Sequence, residues 1–237
     1  MILDNINIIT ITYIAYLNVS FNLLNIATNI NLEKDKINSC KYKSKQIYIY
    51  RDIDSNNIDS GKCFNNQITF KINVEQKIIN IKLFNNGNLQ LTGCKNKSIC
   101  LNTINILINT LEKENKEFQY YNNENKSLQI NTIYPCMINS KFNINFELDR
   151  IKTVKVLRMK NDIEIIRYNP SNYPGIVVKY RTDDSNLLTF LIFQSGKIMI
   201  MSAKTYDNIE EGYKYISNIL NENSLTIKKT EYKQYIK

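Results

Sequence analysis

The chain repeats itself. When the segment that starts at Ile81 is laid without a gap on the segment that starts at Phe190, Phe84 meets Phe193, Gly87 meets Gly196, Lys95 meets Lys204, Asn109 meets Asn218 and Leu111 meets Leu220. Apolar positions keep the same register: Leu83 with Ile192, Leu89 with Ile198, Leu91 with Ile200 and Leu107 with Ile216. Ile, Asn and Lys dominate the composition, so matches in those letters mean little, but the chain has only 6 Gly and 9 Phe. Matched Gly and Phe therefore carry the repeat, and a repeat must be identified before any local structure is assigned.

Each copy reads as strand, tight turn, strand, helix. Asn86-Gly87 and Ser195-Gly196 supply the dipeptides that tolerate positive φ in a two-residue hairpin, with apolar alternation on both sides. Ser98 is the expected cap of a helix carrying Cys100, Ile104, Leu107, Ile108 and Leu111, and Asp207 with Glu210 the cap of its counterpart carrying Ile209, Tyr213, Ile216 and Leu220. Strands are expected before each hairpin, at Gln67 to Val74 and Gly175 to Arg181. Each half opens with an apolar strand, Ile6 to Leu17 and Ile133 to Phe142, followed by a short helix near Phe21 to Ile30 and near Asp149 to Met159. Two such units joined edge to edge give an α+β architecture: one antiparallel sheet with helices on one face. The expected division is 1–119 for the first repeat, with a polar insertion or long loop at about 33–66, then 120–220 for the second repeat and 221–237 for a flexible basic tail.

The period of two along a strand separates the faces. In the first copy Ile68, Phe70, Ile72, Leu83, Leu89 and Leu91 fall on the face that belongs under the helices, while Gln67, Thr69, Lys71, Lys82, Phe84, Gln90 and Thr92 fall on the other. In the second copy the covered face is Ile176, Val178, Ile192, Ile198 and Ile200, and the opposite face Val177, Lys179, Arg181, Leu191, Phe193, Met199 and Met201. No predicted helix covers that opposite face, and its mixture of long basic, aromatic and apolar side chains suits a partner.

Charge points to the kind of partner. The chain of 237 residues carries a formal +9, which favours a polyanion over a neutral surface. There is no His, which excludes Ser-His-Asp and Cys-His catalysis and imidazole zinc sites, and the 5 Cys contain no C-x-x-C pair. No metal or other cofactor is expected. The apolar start from Met1 to Ile30 has Asp4 where a signal peptide is positive and no basic residue before Lys34, so neither secretion nor a membrane span is expected.

The segment from Phe193 through Lys204 resembles the F-x-S-G-K-φ-x-φ-T-G-A-K signature of the TATA-binding protein family, where φ is apolar. Phe84 through Lys95 resembles the same signature in that family's first repeat, and Tyr173-Pro174-Gly175-Ile176-Val177-Val178-Lys179 is similar to its F-P-G-L-I-Y-R stretch. The resemblance implies a pseudo-symmetric saddle whose concave sheet face sits on the DNA minor groove and whose convex face carries the helices. It further implies aromatic pairs that push between base steps. Phe84 and Phe193 stand in one position of each pair and Tyr173 in the second position of the second half. For the first half, the ungapped offset puts Phe64 there, whereas the one-residue shift that aligns Lys71 with Lys179 puts Asn65 there.

By the same resemblance Lys95, Lys204, Lys197, Lys71 and Lys179 face phosphates, with Asn88 in place of an expected Lys. Gln90 and Thr92 occupy base-contacting strand positions in the first half, Leu191, Met199 and Met201 the matching face of the second. Asn7 matches an Asn that reads the centre of the site, with Pro135 at the corresponding place in the second half. The family's acidic residues that hold factor IIB are replaced by Asn169-Pro170-Ser171-Asn172.

The implied function is a general transcription factor, of the kind found in large DNA viruses or fast-evolving protists, that binds and bends AT-rich double-stranded DNA. RNA polymerase and a factor IIB-like protein are its possible partners, and the nucleus or a cytoplasmic viral factory its setting. The alternative is a saddle that has lost specific DNA binding and docks protein within a viral transcription complex. An enzyme is not expected: Asp183-Asp184 reads as a turn, where acids are ordinary.

Overall fold

A computed structural model of the chain describes residues 5–33, 36–53, 65–113, 120–121 and 128–229. The chain forms two compact units, Thr10–Cys136 and Met1–Ile9 with Met137–Lys237. The dividing points fall inside two long strands, the first strand of each repeat, and so differ from a cut near residue 119.

In chain order the elements are β1 (Asn7–Leu17), β2 (Ser20–Phe21), α1 (Leu23–Asn29), β3 (Ile37–Lys43), β4 (Tyr48–Asp52), β5 (Gln67–Val74), β6 (Lys77–Phe84), β7 (Asn88–Cys94), α2 (Lys97–Lys113), β8 (Tyr120–Tyr121) and β9 (Ile130–Asn143). There follow α3 (Arg150–Leu157), β10 (Ile163–Arg167), β11 (Ile176–Arg181), β12 (Leu187–Ile192), β13 (Lys197–Ala203), α4 (Tyr206–Glu222) and α5 (Ser224–Ile227). In the Thr10–Cys136 unit the strand order is β1-β7-β6-β5-β3-β4, and the short β2 pairs with β8. In the other unit it is β10-β11-β12-β13-β9. Every described strand pairing is antiparallel.

The two orders match strand for strand except that β4 has no counterpart. The polar stretch after Glu33 is therefore not a plain loop: its start is β3, and β4 turns back on β3 from Lys43↔Tyr48 to Ser39↔Asp52. Sequence reading missed both because their outward faces are polar and the period of two is visible only against the buried Cys40 and Tyr42.

Both cores follow the expected alternation. Ile68, Phe70, Ile72, Leu83, Leu89 and Leu91 are fully buried in one unit, and Ile176, Val178, Ile192, Ile198 and Ile200 in the other. Apolar burial of this kind contributes about 25 cal/mol per Å2 removed from water and is the main force holding each helix to its sheet.

The caps of α2 and α4 lie two residues before the expected ones. Asn96, not Ser98, caps α2, its Oδ1 accepting from the Ile99 N–H at 2.9 Å. Thr205, not Asp207, caps α4 in a reciprocal pair with Asn208. Asn96 and Thr205 are themselves repeat-equivalent, so both helices start at one place in the pattern. Asp149 caps α3 by accepting from Ile151 and Lys152.

The hairpin turns are also longer than two residues. The Gly87 N–H donates to the Phe84 carbonyl at 3.1 Å and the Gly196 N–H to the Phe193 carbonyl at 3.0 Å, so each glycine closes a three-residue turn at φ 82° or 80°. A Cβ at Gly87 would lie 2.2 Å from the Val19 carbonyl oxygen, and one at Gly196 2.6 Å from that of Phe146, which restricts both positions to glycine.

The segment after Leu220 is structured as far as it is described. Ile227 of α5 is fully buried, Lys228 bridges to Leu148, and Lys229 pairs with Glu147 at 3.0 Å. The remaining residues of the expected basic tail, 230–237, lie outside the described residues.

Candidate nucleic-acid interface

The face of each sheet turned away from the core is half-exposed. In the Thr10–Cys136 unit, register aligns its side chains into rows across the strands: Thr69, Lys82, Gln90 and Ile14 form one, and Lys71, Asn80 and Thr92 the next. Phe84 stands opposite Gln67 at the end of β6. Gln67 is buried despite its place on this face, and its amide donates to Thr69 Oγ1 at 3.3 Å. Such a surface offers amide and hydroxyl groups flanked by ammonium groups, with an aromatic ring at one rim. Tyr16 and Tyr134 add two phenols joined at 3.1 Å, and that bond holds the Tyr134 hydroxyl above its ordinary pKa.

The second unit presents a different chemistry in the same frame. Arg167, Val177, Leu191, Met199 and Lys141 form one row, and Ile165, Lys179, Thr189 and Met201 the next. At the rim Tyr173 and Phe193 meet edge to face, with ring centroids 6.0 Å apart. Gly175 makes the meeting possible: a Cβ there would lie 2.8 Å from Tyr173 Cε1 and 3.2 Å from Phe193 Cε1. The Arg150 guanidinium donates to the Pro174 carbonyl at 2.8 Å, fixing the turn between them.

Of the residues singled out in the sequence, the structure brings together Tyr173 with Phe193, Gln90 with Lys82, and Met199 with Leu191. Lys197 is exposed at the start of β13, and Lys95 and Lys204 are exposed just after β7 and β13. Lys71 faces Asn80 and Lys179 faces Thr189, and Asn80 and Thr189 are equivalent in the ungapped repeat. Lys71 and Lys179 are thus true counterparts, and the same shift makes Asn65 the counterpart of Tyr173. Phe64 lies outside the described residues.

Asn7 is exposed at the start of β1. Register through Ile11↔Cys94 and Ile138↔Ala203 equates Thr12 with Asn139, so Pro135 corresponds to Ile8 and not to Asn7. Asn139 was not singled out. It sits at the bulge where Ser202 takes φ 70°, and its Oδ1 accepts the Ser202 N–H at 3.2 Å. Gly93 occupies the equivalent left-handed position of the first repeat at φ 103°. Only the bulge register reveals Asn139, since one Asn among so many gives no signal.

Among the described residues no group of His, Cys, Asp and Glu is arranged to hold a metal ion, and no helix is long and apolar enough to cross a membrane. Each of the two repeats is an antiparallel sheet with helices on one face and an open face that carries basic and aromatic side chains on the other. The comparisons show which proteins share this pattern. A family model described as "Transcription factor TFIID (or TATA-binding protein, TBP)" matches residues 133–223. The chain is 32% identical to a TATA-box-binding protein-like protein of Acanthamoeba polyphaga mimivirus, over 91% of this chain and 65% of that one. It is 27% identical to the TATA-box-binding protein of Picrophilus torridus, over 55% of this chain and 62% of the archaeal one. Both alignments span a little under two thirds of the relative's length. The solved Methanococcus jannaschii TBP shares the fold with a TM-score of 0.62 at 18% identity, covering 92% of this chain and 99% of that chain. The chain is thus similar to TATA-binding proteins in sequence, its residues 133–223 match that family's model, and it shares their fold.

Proposed function

We propose that this protein is a transcription factor that binds AT-rich duplex DNA in the minor groove and bends it. The observation that carries the reading is the Tyr173–Phe193 pair, two rings held edge to face at the rim of an open, basic sheet face. An apolar wedge of that kind enters between base steps, and TATA-binding protein is itself the reference case for the mode. The lysines beside each signature, Lys95, Lys197 and Lys204, are exposed and in this reading neutralise phosphates, while Gln90 and Thr92 would offer donors and acceptors to base edges. The degenerate minor-groove code suits a face whose second half offers Met199 and Met201 in place of polar groups.

The proposed setting is a nucleus or a cytoplasmic viral factory, in keeping with a relative from a virus, and the proposed downstream partner is an RNA polymerase. A factor IIB-like partner would meet Asn169-Pro170-Ser171-Asn172, which carries no acid. The family's binding role needs no catalysis.

The test is Phe84→Ala with Phe193→Ala. The double variant keeps its circular dichroism and loses bending of a TATA duplex in a fluorescence-transfer assay; unchanged bending refutes the proposal. A second reading rests on Val177, Leu191, Met199 and Met201, an apolar cluster suited to docking protein. It predicts duplex affinity that is absent at low salt or barely changes with it, because phosphate neutralisation demands a steep salt slope.

A further inference from the structure

The connection that carries Tyr173, residues 168–175 between β10 and β11, is a short turn. Its counterpart between β3 and β5, residues 44–66, is far longer and contains β4, which adds a strand to the edge of the first sheet. β4 is a built element. Its inward side chain Arg51 reaches the end of α1, donating to the carbonyls of Thr28 at 3.0 Å and Ile30 at 2.8 Å, where a cation also meets the negative end of the helix. Its outward side chains, Tyr48 and Tyr50, stand beside Lys43 and Lys41 of β3.

The added strip continues the open face without a break. Register sets Lys41 between Tyr50 and Thr69, and Lys43 between Tyr48 and Gln67. The Lys41 ammonium lies 5.9 Å from the centre of the Tyr48 ring, and Tyr48 is 47% exposed. Lys45 is exposed in the turn that joins the two strands. The one acid on the strip, Asp52, accepts from the Tyr50 hydroxyl at 2.6 Å. Three lysines within five positions, braced by phenol rings, form a surface complementary to a row of phosphates and not to an apolar groove.

We propose that the β3–β4 hairpin is a second DNA contact, which grips the phosphate backbone flanking the AT-rich core on the side bound by the first repeat. The second repeat ends its sheet at β10 and has no such strip, so the contact is one-sided and fixes the direction in which the protein sits on an otherwise near-symmetric site. The inference rests on the duplex-binding reading above and adds a site to it.

The experiment compares Lys41→Gln with Lys43→Gln against the unmodified chain on two duplexes, one trimmed to the AT-rich core and one carrying a GC flank of roughly 10 bp, about one helical turn, at each end. On the flanked duplex the double variant loses about 2 units of the slope of log K against log salt, and about tenfold in affinity at low salt. On the trimmed duplex it matches the unmodified chain in affinity and bending. Hydroxyl-radical protection disappears from one flank only, and Lys41→Glu with Lys43→Glu deepens the loss on that flank while circular dichroism stays unchanged. Equal slope and affinity on the flanked duplex for the Gln variant and the unmodified chain overturn the hairpin contact and leave duplex binding standing. Failure of the unmodified chain to bind or bend the trimmed duplex overturns both.

Discussion

Gly175→Ala is the sharpest probe of the aromatic wedge, because it leaves the chemistry of both rings unchanged and alters only how they meet. Gly175 has no positive φ, so alanine meets no backbone strain and the effect is steric alone. The new Cβ would sit 2.8 Å from Tyr173 Cε1, where ordinary contact begins at 3.4 Å, so that ring edge must retreat by about 0.6 Å. Phe193 needs to give only a few tenths of an ångström from 3.2 Å. Tyr173 is 38% exposed and moves first, which breaks the edge-to-face pair at 6.0 Å. Such a pair is worth about 0.5–1.5 kcal/mol. Thermal unfolding should therefore fall by a few degrees at most, given about 2–4 °C per kcal/mol in a chain of this size. The affinity for a TATA duplex should fall about five- to tenfold, the equivalent of about 1–1.4 kcal/mol, with a matching loss of bending. Titration by fluorescence transfer and a melting curve on one preparation decide it. Affinity and bending within twofold of the unmodified chain refute the wedge argument, and a collapse of the fold refutes the claim that the glycine serves the rings alone.

The two-residue turn between β5 and β6 places Glu75 at φ 50° and Gln76 at φ 61°, a left-handed pair without glycine. Gln76→Gly should raise stability by about 1 kcal/mol, read as a melting temperature higher by about 2–4 °C. Arg51→Ala removes the donor to the end of α1 and should cost about 1–2 kcal/mol in denaturant unfolding, more than a surface Arg would. Hydrogen bonds from Thr182, from the Asn208 amide and from the Asn186 N–H hold the Asp184 carboxyl below its ordinary 3.8. Its contribution is complete above the unfolded carboxyl's value and is lost as pH falls through the lower folded value; Asp184→Asn should flatten that part of an acid-unfolding curve. Burial, then the hydrogen bond to Asp52, pushes the Tyr50 phenol up to about 12, so its ultraviolet titration should lag free tyrosine near pH 10.

How much of this was legible in the sequence depended on which letters carried it. Phe84, Gly87 and Lys95 against Phe193, Gly196 and Lys204 use rarer or spaced residues, so repeat, hairpins and signature helices stood out, and the buried and open faces followed from alternation. The caps were misplaced because several polar residues precede each helix and only geometry selects Asn96 and Thr205. β3 and β4 were hidden because their outward residues are lysine and tyrosine at a sheet edge, where no apolar face repeats at every second position.

The sequence by itself therefore determined the duplicated α+β unit, the side of each sheet that is buried and the residues of the two signatures, since these depend on local periodicity and on short-range turn chemistry. Tertiary structure alone decided the edge strand β4, the docking of Arg51 on α1, the packing of Ile227 and Lys229 against the second repeat's own loop, and the equivalence of Thr12 with Asn139. Each of these is a pairing between residues distant in the chain, set by strand register and packing that no local pattern encodes.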